Sequence, residues 1–163
     1  MARIRGVAVA LTAAAVGLAA CGDDEGDKGS ATASKKTREA IVIERRVKIL
    51  PKKPGSPADM GKVLSGSKIG DSAFCPGGTG SGVDPGPGGA WAHIVNYRCP
   101  DGRLKLGFNN EPPDENRVNR GDWAVISGTG SFEGATGSGP LKVQWDDDSY
   151  RRGTETYTGT ITR

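Results

Sequence analysis

Between Trp123 and Trp145 the chain reads Trp-Ala-Val-Ile-Ser-Gly-Thr-Gly-Ser-Phe-Glu-Gly-Ala-Thr-Gly-Ser-Gly-Pro-Leu-Lys-Val-Gln-Trp, and this stretch limits the possible folds more than any other. One arm places Trp123 and Val125 on a common face, and the other does the same with Leu141, Val143 and Trp145. Such period-2 spacing belongs to strands with one buried side. Between the arms, Gly128, Gly130, Gly134, Gly137 and Gly139 let the backbone take positive φ or lie close against another strand. The pattern is that of a corner in a curved antiparallel sheet. Composition points the same way, because 26 Gly and 10 Pro in 163 residues disfavour long helices and suit short strands joined by turns.

The flanking sequence supplies the other strands. Ile41, Ile43, Val47 and Ile49 alternate with Glu44, Arg46 and Lys48, a half-buried first strand. Pro51, Pro54 and Pro57 then force an irregular connection. Residues 62–74 read as a second strand, bent or bulged at Gly66 and Gly70. Residues 76–89 read as a Gly- and Pro-dominated loop whose one core candidate is Val83. Trp91, His93, Val95 and Tyr97 share a face, Pro100-Asp101-Gly102 makes a turn, and Leu104, Leu106 and Phe108 return. Residues 109–121 form a polar loop, and Asp146-Asp147-Asp148 sits in a later turn. In the last run Thr154, Thr156, Thr158, Thr160 and Thr162 line one side, with Tyr157, Gly159 and Ile161 turned inward. The expectation for residues 40–163 is an all-β domain, a small closed antiparallel barrel of seven to eight strands. Closure removes exposed edges, and a barrel of that size fills with side chains or holds one small ligand.

Residues 1–20 have the layout of an export signal: Arg3 and Arg5, then an apolar run over 7–18 that is too short to cross a bilayer. The run ends in Leu18-Ala19-Ala20-Cys21-Gly22, which resembles the lipobox of bacterial lipoproteins. That resemblance implies lipidation of the Cys21 sulfur and anchoring to the outer face of the cell membrane. Two or more acyl chains give stable anchoring where one does not. The alternative is an ordinary cleaved signal that leaves Cys21 a free thiol. Ile4 separates Arg3 from Arg5, so the twin-arginine route is not indicated. Residues 21–39 read as a flexible tether, since 22–38 carry no apolar side chain larger than Ala. Asp23, Asp24, Glu25 and Asp27 read as part of that solvated linker. Net charge is +3, and 3 − 2 = +1 once Arg3 and Arg5 leave with the signal. Charge so balanced gives no electrostatic case for nucleic acid or for a polybasic membrane surface. The membrane, reached through the lipid, is the expected partner of a monomeric chain.

With Cys21 set aside, Cys75 and Cys99 remain as a pair in an oxidising compartment and are expected to form a disulfide. The competing reading, two free or metal-binding thiols, meets a chain with a single His, too few soft ligands for zinc. No metal or cofactor is expected. His93 reads as a structural strand residue ahead of a catalytic one. The central glycines lack the spacing of phosphate-binding loops. Asp146, Asp147 and Asp148 lack the pattern of a calcium loop, and Glu111, Asp114 and Glu115 read as solvated acids. Trp91, His93, Tyr97, Trp123 and Trp145 are the candidates for lining a pocket, although core packing explains tryptophans equally well.

The run Gly128-Thr129-Gly130-Ser131-Phe132-Glu133-Gly134-Ala135-Thr136-Gly137 resembles the G-T-G-x-F-x-x-A-x-G stretch of the allene oxide cyclase and dirigent-like barrels. The resemblance covers about a quarter of the chain and implies an eight-stranded antiparallel barrel with a cavity, calycin-like in form. Plant members act on or orient apolar molecules inside such a cavity, but none of their active-site residues maps onto a position here. Three functions follow as expectations. The first is a non-enzymatic lipoprotein that binds an apolar small molecule or a protein partner. The second is an isomerase or cyclase working in the barrel, and the third a purely structural envelope protein with a filled core.

Overall fold

The computed structural model describes residues 36–163. The expected signal segment, Cys21 and the tether up to residue 35 lie outside the described residues. Alternation gives strands throughout and no helix among the described residues. In chain order they are β1 (Arg38–Ile49), β2 (Asp59–Val63), β3 (Lys68–Ile69), β4 (Ser72–Ala73), β5 (Thr79–Val83), β6 (His93–Cys99), β7 (Gly102–Asn110), β8 (Val118–Gly130), β9 (Thr136–Trp145) and β10 (Arg152–Thr162). Neighbours run β10-β9-β8-β7-β6-β5-β2-β1, and β1 pairs back onto β10, so eight strands close an antiparallel barrel. The short β3–β4 hairpin hangs on β1 at Ile41 and Val42.

The inner faces fill the barrel. Ile41 and Ile43 of β1 share one core with Leu104, Leu106, Leu141 and Val143, and Val47 is buried further along the strand. Tyr157 lies at the centre, with Tyr97, Phe108 and Trp123 edge-on to its ring at centroid distances of 6.4, 6.0 and 6.3 Å. Each such side chain contributes roughly 1.5–3 kcal/mol by leaving water, and edge-to-face contact adds to that. Trp123 also donates from Nε1 to the Thr158 carbonyl at 2.9 Å. One end is closed by Ile69 of the hairpin and by Phe74 and Phe132, whose rings meet at 5.8 Å. Phe132 comes from the glycine-rich turn between β8 and β9. A side chain at Gly128 would collide with the Phe132 backbone, 2.1 Å from its carbonyl oxygen. The Cys75–Cys99 disulfide is present beside this plug.

Four sequence expectations are corrected. The polar loop expected over 109–121 is shorter, because β7 runs to Asn110 and β8 begins at Val118. Trp91, expected to share a strand face with His93, Val95 and Tyr97, precedes β6 and packs over Gly107 outside the wall. The single strand over 62–74 is three pieces, β2, β3 and β4. β2 ends at Val63, and the hairpin turns back at Gly70, which has φ +56° and donates its N–H to Ala40. The loop expected over 76–89 contains β5, between β2 and β6 in the barrel wall. Its inward residues are Gly80 and Gly82, while Val83, the expected core residue, is exposed. A strand whose inner positions are glycine shows no apolar alternation.

Candidate functional site

β1 turns every second residue inward, and the sequence Ile41, Ile43, Arg45, Val47 places an arginine among the apolar ones. Arg45 is fully buried. Directly opposite on β10 stands Glu155, on the same inner face as Tyr157. Arg45 Nε donates to Glu155 Oε2 at 2.8 Å, and Nη1 donates to Asp59 Oδ1 of β2 at 2.7 Å. Nη2 lies 2.7 Å from Glu155 Oε2 but off line, an ion-pair contact rather than a second hydrogen bond. Tyr157 Oη donates to the same Glu155 oxygen at 2.7 Å. The Gly82 amide donates to Asp59 Oδ1 at 3.1 Å. Tyr97 Oη, buried beside the cluster, has no well-formed hydrogen bond.

Glycines make room for this cluster. A Cβ at Gly61 would sit 2.8 Å from Arg45 Cγ, and one at Gly80 would sit 2.9 Å from Arg45 Cδ. A Cβ at Gly82 would fall 1.8 Å from Asp59 Oδ2. The bare inner face of β5 and the buried arginine are therefore two sides of one packing solution.

Burial in a low-dielectric interior disfavours charge, and it sets most of the titration behaviour here. It raises Tyr97 well above the usual phenol range. Tyr157 is raised by burial first and by the Glu155 carboxylate second. Both hydroxyls stay protonated at neutral pH. Burial pulls the Arg45 guanidinium down, but the facing Glu155 carboxylate more than restores it. Asp59 is raised, first by burial and then by Glu155, against the pull of Arg45.

The direction at Asp59 has a testable sign. A carboxylate raised on folding contributes its stability fully below the ordinary carboxylate range, and loses it as pH climbs through the raised folded value. Asp59→Asn keeps an acceptor for Gly82 and cannot ionise. Urea midpoints of the two proteins, taken from about pH 4 to neutral, should therefore fall more steeply with pH for the parent than for the variant. Parallel curves would refute the assignment.

The sequence candidates lie apart from this cluster or serve it structurally. Tyr97 and Trp123 belong to the core. Trp145 sits half-buried at the far end of β9, its Nε1 bonded to Asn119 Oδ1. Trp91 precedes β6 and covers Gly107, where a Cβ would meet the indole at 2.4 Å. Gly107 lies between the inward residues Leu106 and Phe108, so this contact is on the outside of the wall. His93 lies at the rim, its side chain 44% exposed. It is stacked on Phe108 at 5.1 Å, with Nδ1 3.0 Å from Asp84 Oδ1. Asp114 holds its loop through the amides of Asn116 and Val118 and through Arg120. Asp147 accepts from the Ser149 amide, and Asp146 pairs with Arg46. Arg45, Asp59 and Glu155 were missed, although Arg45 and Glu155 show in the sequence as charged residues in register with the apolar face.

Three grooves among the described residues lie outside the core or at its ends. One of about 320 Å³ runs along the outer wall over β5 to β8. Another of about 380 Å³ sits at the Phe74–Phe132 plug, and one of about 620 Å³ under residues 52–58. Arg45, Glu155, Tyr157 and Trp123 line none of the three. The fold and the cluster together define a class, an eight-stranded antiparallel barrel with a filled interior and a buried Arg–carboxylate network. No family model, curated protein or solved structure matches the chain.

Proposed function

We propose that this chain is an exported lipoprotein, anchored through Cys21, whose barrel is a non-enzymatic binding module that works from its outer wall. One observation carries this reading: the core cluster is engaged with itself. Arg45 is spent on Asp59 and Glu155, and Tyr157 on Glu155. Both tyrosines are held protonated. The charges of the cluster hold one another, and the three grooves described stop short of Arg45, Glu155 and Tyr157, whereas a cyclase or isomerase there would need a base beside an open cavity. The filled core also turns the expectation of an apolar ligand from the lumen to the surface.

Native mass spectrometry of the chain purified from cells tests the reading. The expected mass is that of the lipidated polypeptide alone. A stoichiometric apolar guest released only on unfolding would overturn it. The anchor has its own test: Cys21→Ser should shift the protein from the membrane pellet to the soluble exported fraction. A variant that still sediments with membranes removes the lipid anchor.

A further inference from the structure

The sequence scatters its charges, but the barrel sorts them. On the outer wall, cross-strand register places Arg98 of β6 directly opposite Arg103 of β7, and Arg46 of β1 opposite Lys62 of β2. Like charges directly opposed across a pair destabilise a sheet. Arg46 is relieved by Asp146. Lys62, Arg98 and Arg103 have no carboxylate at ion-pair distance among the described residues, and neither does Lys105, which faces Asn96 across β6 and β7.

Between these cations the same rows carry hydroxyls. Thr79 faces both Lys62 and Arg98, Ser127 faces Lys105, and Thr129 faces Arg103. The groove of about 320 Å³ runs among Arg98, Arg103, Lys105, Asn96, Ser127 and Thr129. A neighbouring depression of about 180 Å³ continues it past Thr79 to Met60. From β2 to β8 the trough crosses β5, β6 and β7. That is four strand intervals, or about 19 Å at ~4.8 Å each. An aromatic side chain whose ring would stack on a base is missing from the lining, save Tyr97, whose ring is buried in the core. Stacking platforms are what single-stranded nucleic acid sites use. A concave trough whose one exposed large apolar side chain is Met60, at its β2 end, also fits a flat bilayer poorly.

We propose that this trough binds a linear hydroxylated polyanion, a glycan or polyol chain bearing sulfate or phosphate groups. The proposal rests on the outer wall being the working surface. Unopposed cations neutralise the anionic groups, and Thr79, Asn96, Ser127 and Thr129 hydrogen-bond the chain between them.

The test uses the full chain in detergent, titrated with dextran sulfate and with poly(glycerol phosphate) to separate sulfate esters from phosphodiesters. At least one polymer should bind with an affinity that falls steeply with salt. The triple variant Arg98→Thr, Arg103→Thr, Lys105→Thr should bind at least ~30-fold more weakly, and its slope of log affinity against log salt should flatten by about 2, at ~0.7 per lost contact. Threonine suits an exposed strand face, so the barrel should persist, which circular dichroism and thermal unfolding check. Lys142→Thr, on the outer face of β9 away from the trough, should leave binding within twofold. Three results overturn the proposal: no binding of either polymer, equal loss with Lys142→Thr, or tighter binding of duplex DNA, or of phosphatidylglycerol vesicles by the unlipidated Cys21→Ser chain, than of both polymers. If the first occurs while mass spectrometry shows no guest, the polyanion falls and the outer-wall reading stands. A stoichiometric guest in the lumen removes both.

Discussion

Arg45→Met will destabilise the barrel by about 3–5 kcal/mol, because it strands Asp59 and Glu155 as buried carboxylates without their cation. That is a large share of a marginal total of roughly 5–15 kcal/mol, so the variant should unfold at much lower urea. The loss belongs to the broken network and not to a missing favourable bond. Replacing the three charged residues together, Arg45→Met with Asp59→Leu and Glu155→Leu, should recover part of the stability, since desolvation of three ions no longer opposes folding, while the Tyr157 hydroxyl and the Gly82 amide, left without their acceptors, hold back the rest. Gly61, Gly80 and Gly82 leave the cluster little spare room, so the recovery depends on how the larger apolar groups settle there. What the triple variant should lose is register. Ile41, Ile43 and Val47 are interchangeable under a two-residue slip of β1, whereas Arg45 reaches both Glu155 and Asp59 in one pairing only. Urea unfolding with amide exchange on β1 separates the two effects. A single variant as stable as the parent would mean the cluster is not the ionic lock described here.

How much of this was legible beforehand divides along physical lines. The hairpin of β6 and β7 and the alternation of β10 were readable because their inward residues are large and apolar. The closed barrel followed from those patterns and from the glycine-rich corner. β5 was not readable, because its inward Gly80 and Gly82 yield their space to Arg45 and Asp59, residues distant in sequence. Arg45 and Glu155 were half visible. Each falls in phase with an apolar face, a signal set aside when the charged residues of β1 and the threonines of β10 were read as the outer side. Asp59 carried no signal, since it follows the proline-rich connection at the very start of β2. The basic trough was hidden for another reason. Lys62, Arg98, Arg103 and Lys105 become neighbours through register alone, and a near-neutral sum says nothing about how charge is sorted in space.

Removing the disulfide with Cys75→Ser and Cys99→Ser should cost about 3.5 kcal/mol on the chain-entropy model for a loop of ~25 residues. The bond joins positions 24 apart, and the chain between them contains β5, the barrel strand whose inward residues, Gly80 and Gly82, are both glycine. β5 is held by its ladders to β2 and β6 and by the Gly82 amide on Asp59. Its glycines give up more conformational entropy on ordering than any other residue would. Cys75 sits at φ 51°, in the left-handed region that side chains with a Cβ rarely adopt, so this end of the loop is free to relax once the clamp is gone. The loss should therefore be uneven. Amide exchange should quicken first in β5 and in residues 84–92, then in the Phe74–Phe132 plug, while β8 and β9 keep most of their protection. Dithiothreitol on the parent should reproduce the pattern of the double variant. Exchange that rises equally in all eight barrel strands would show that the bridge acts only on the unfolded chain, and that β5 does not depend on it.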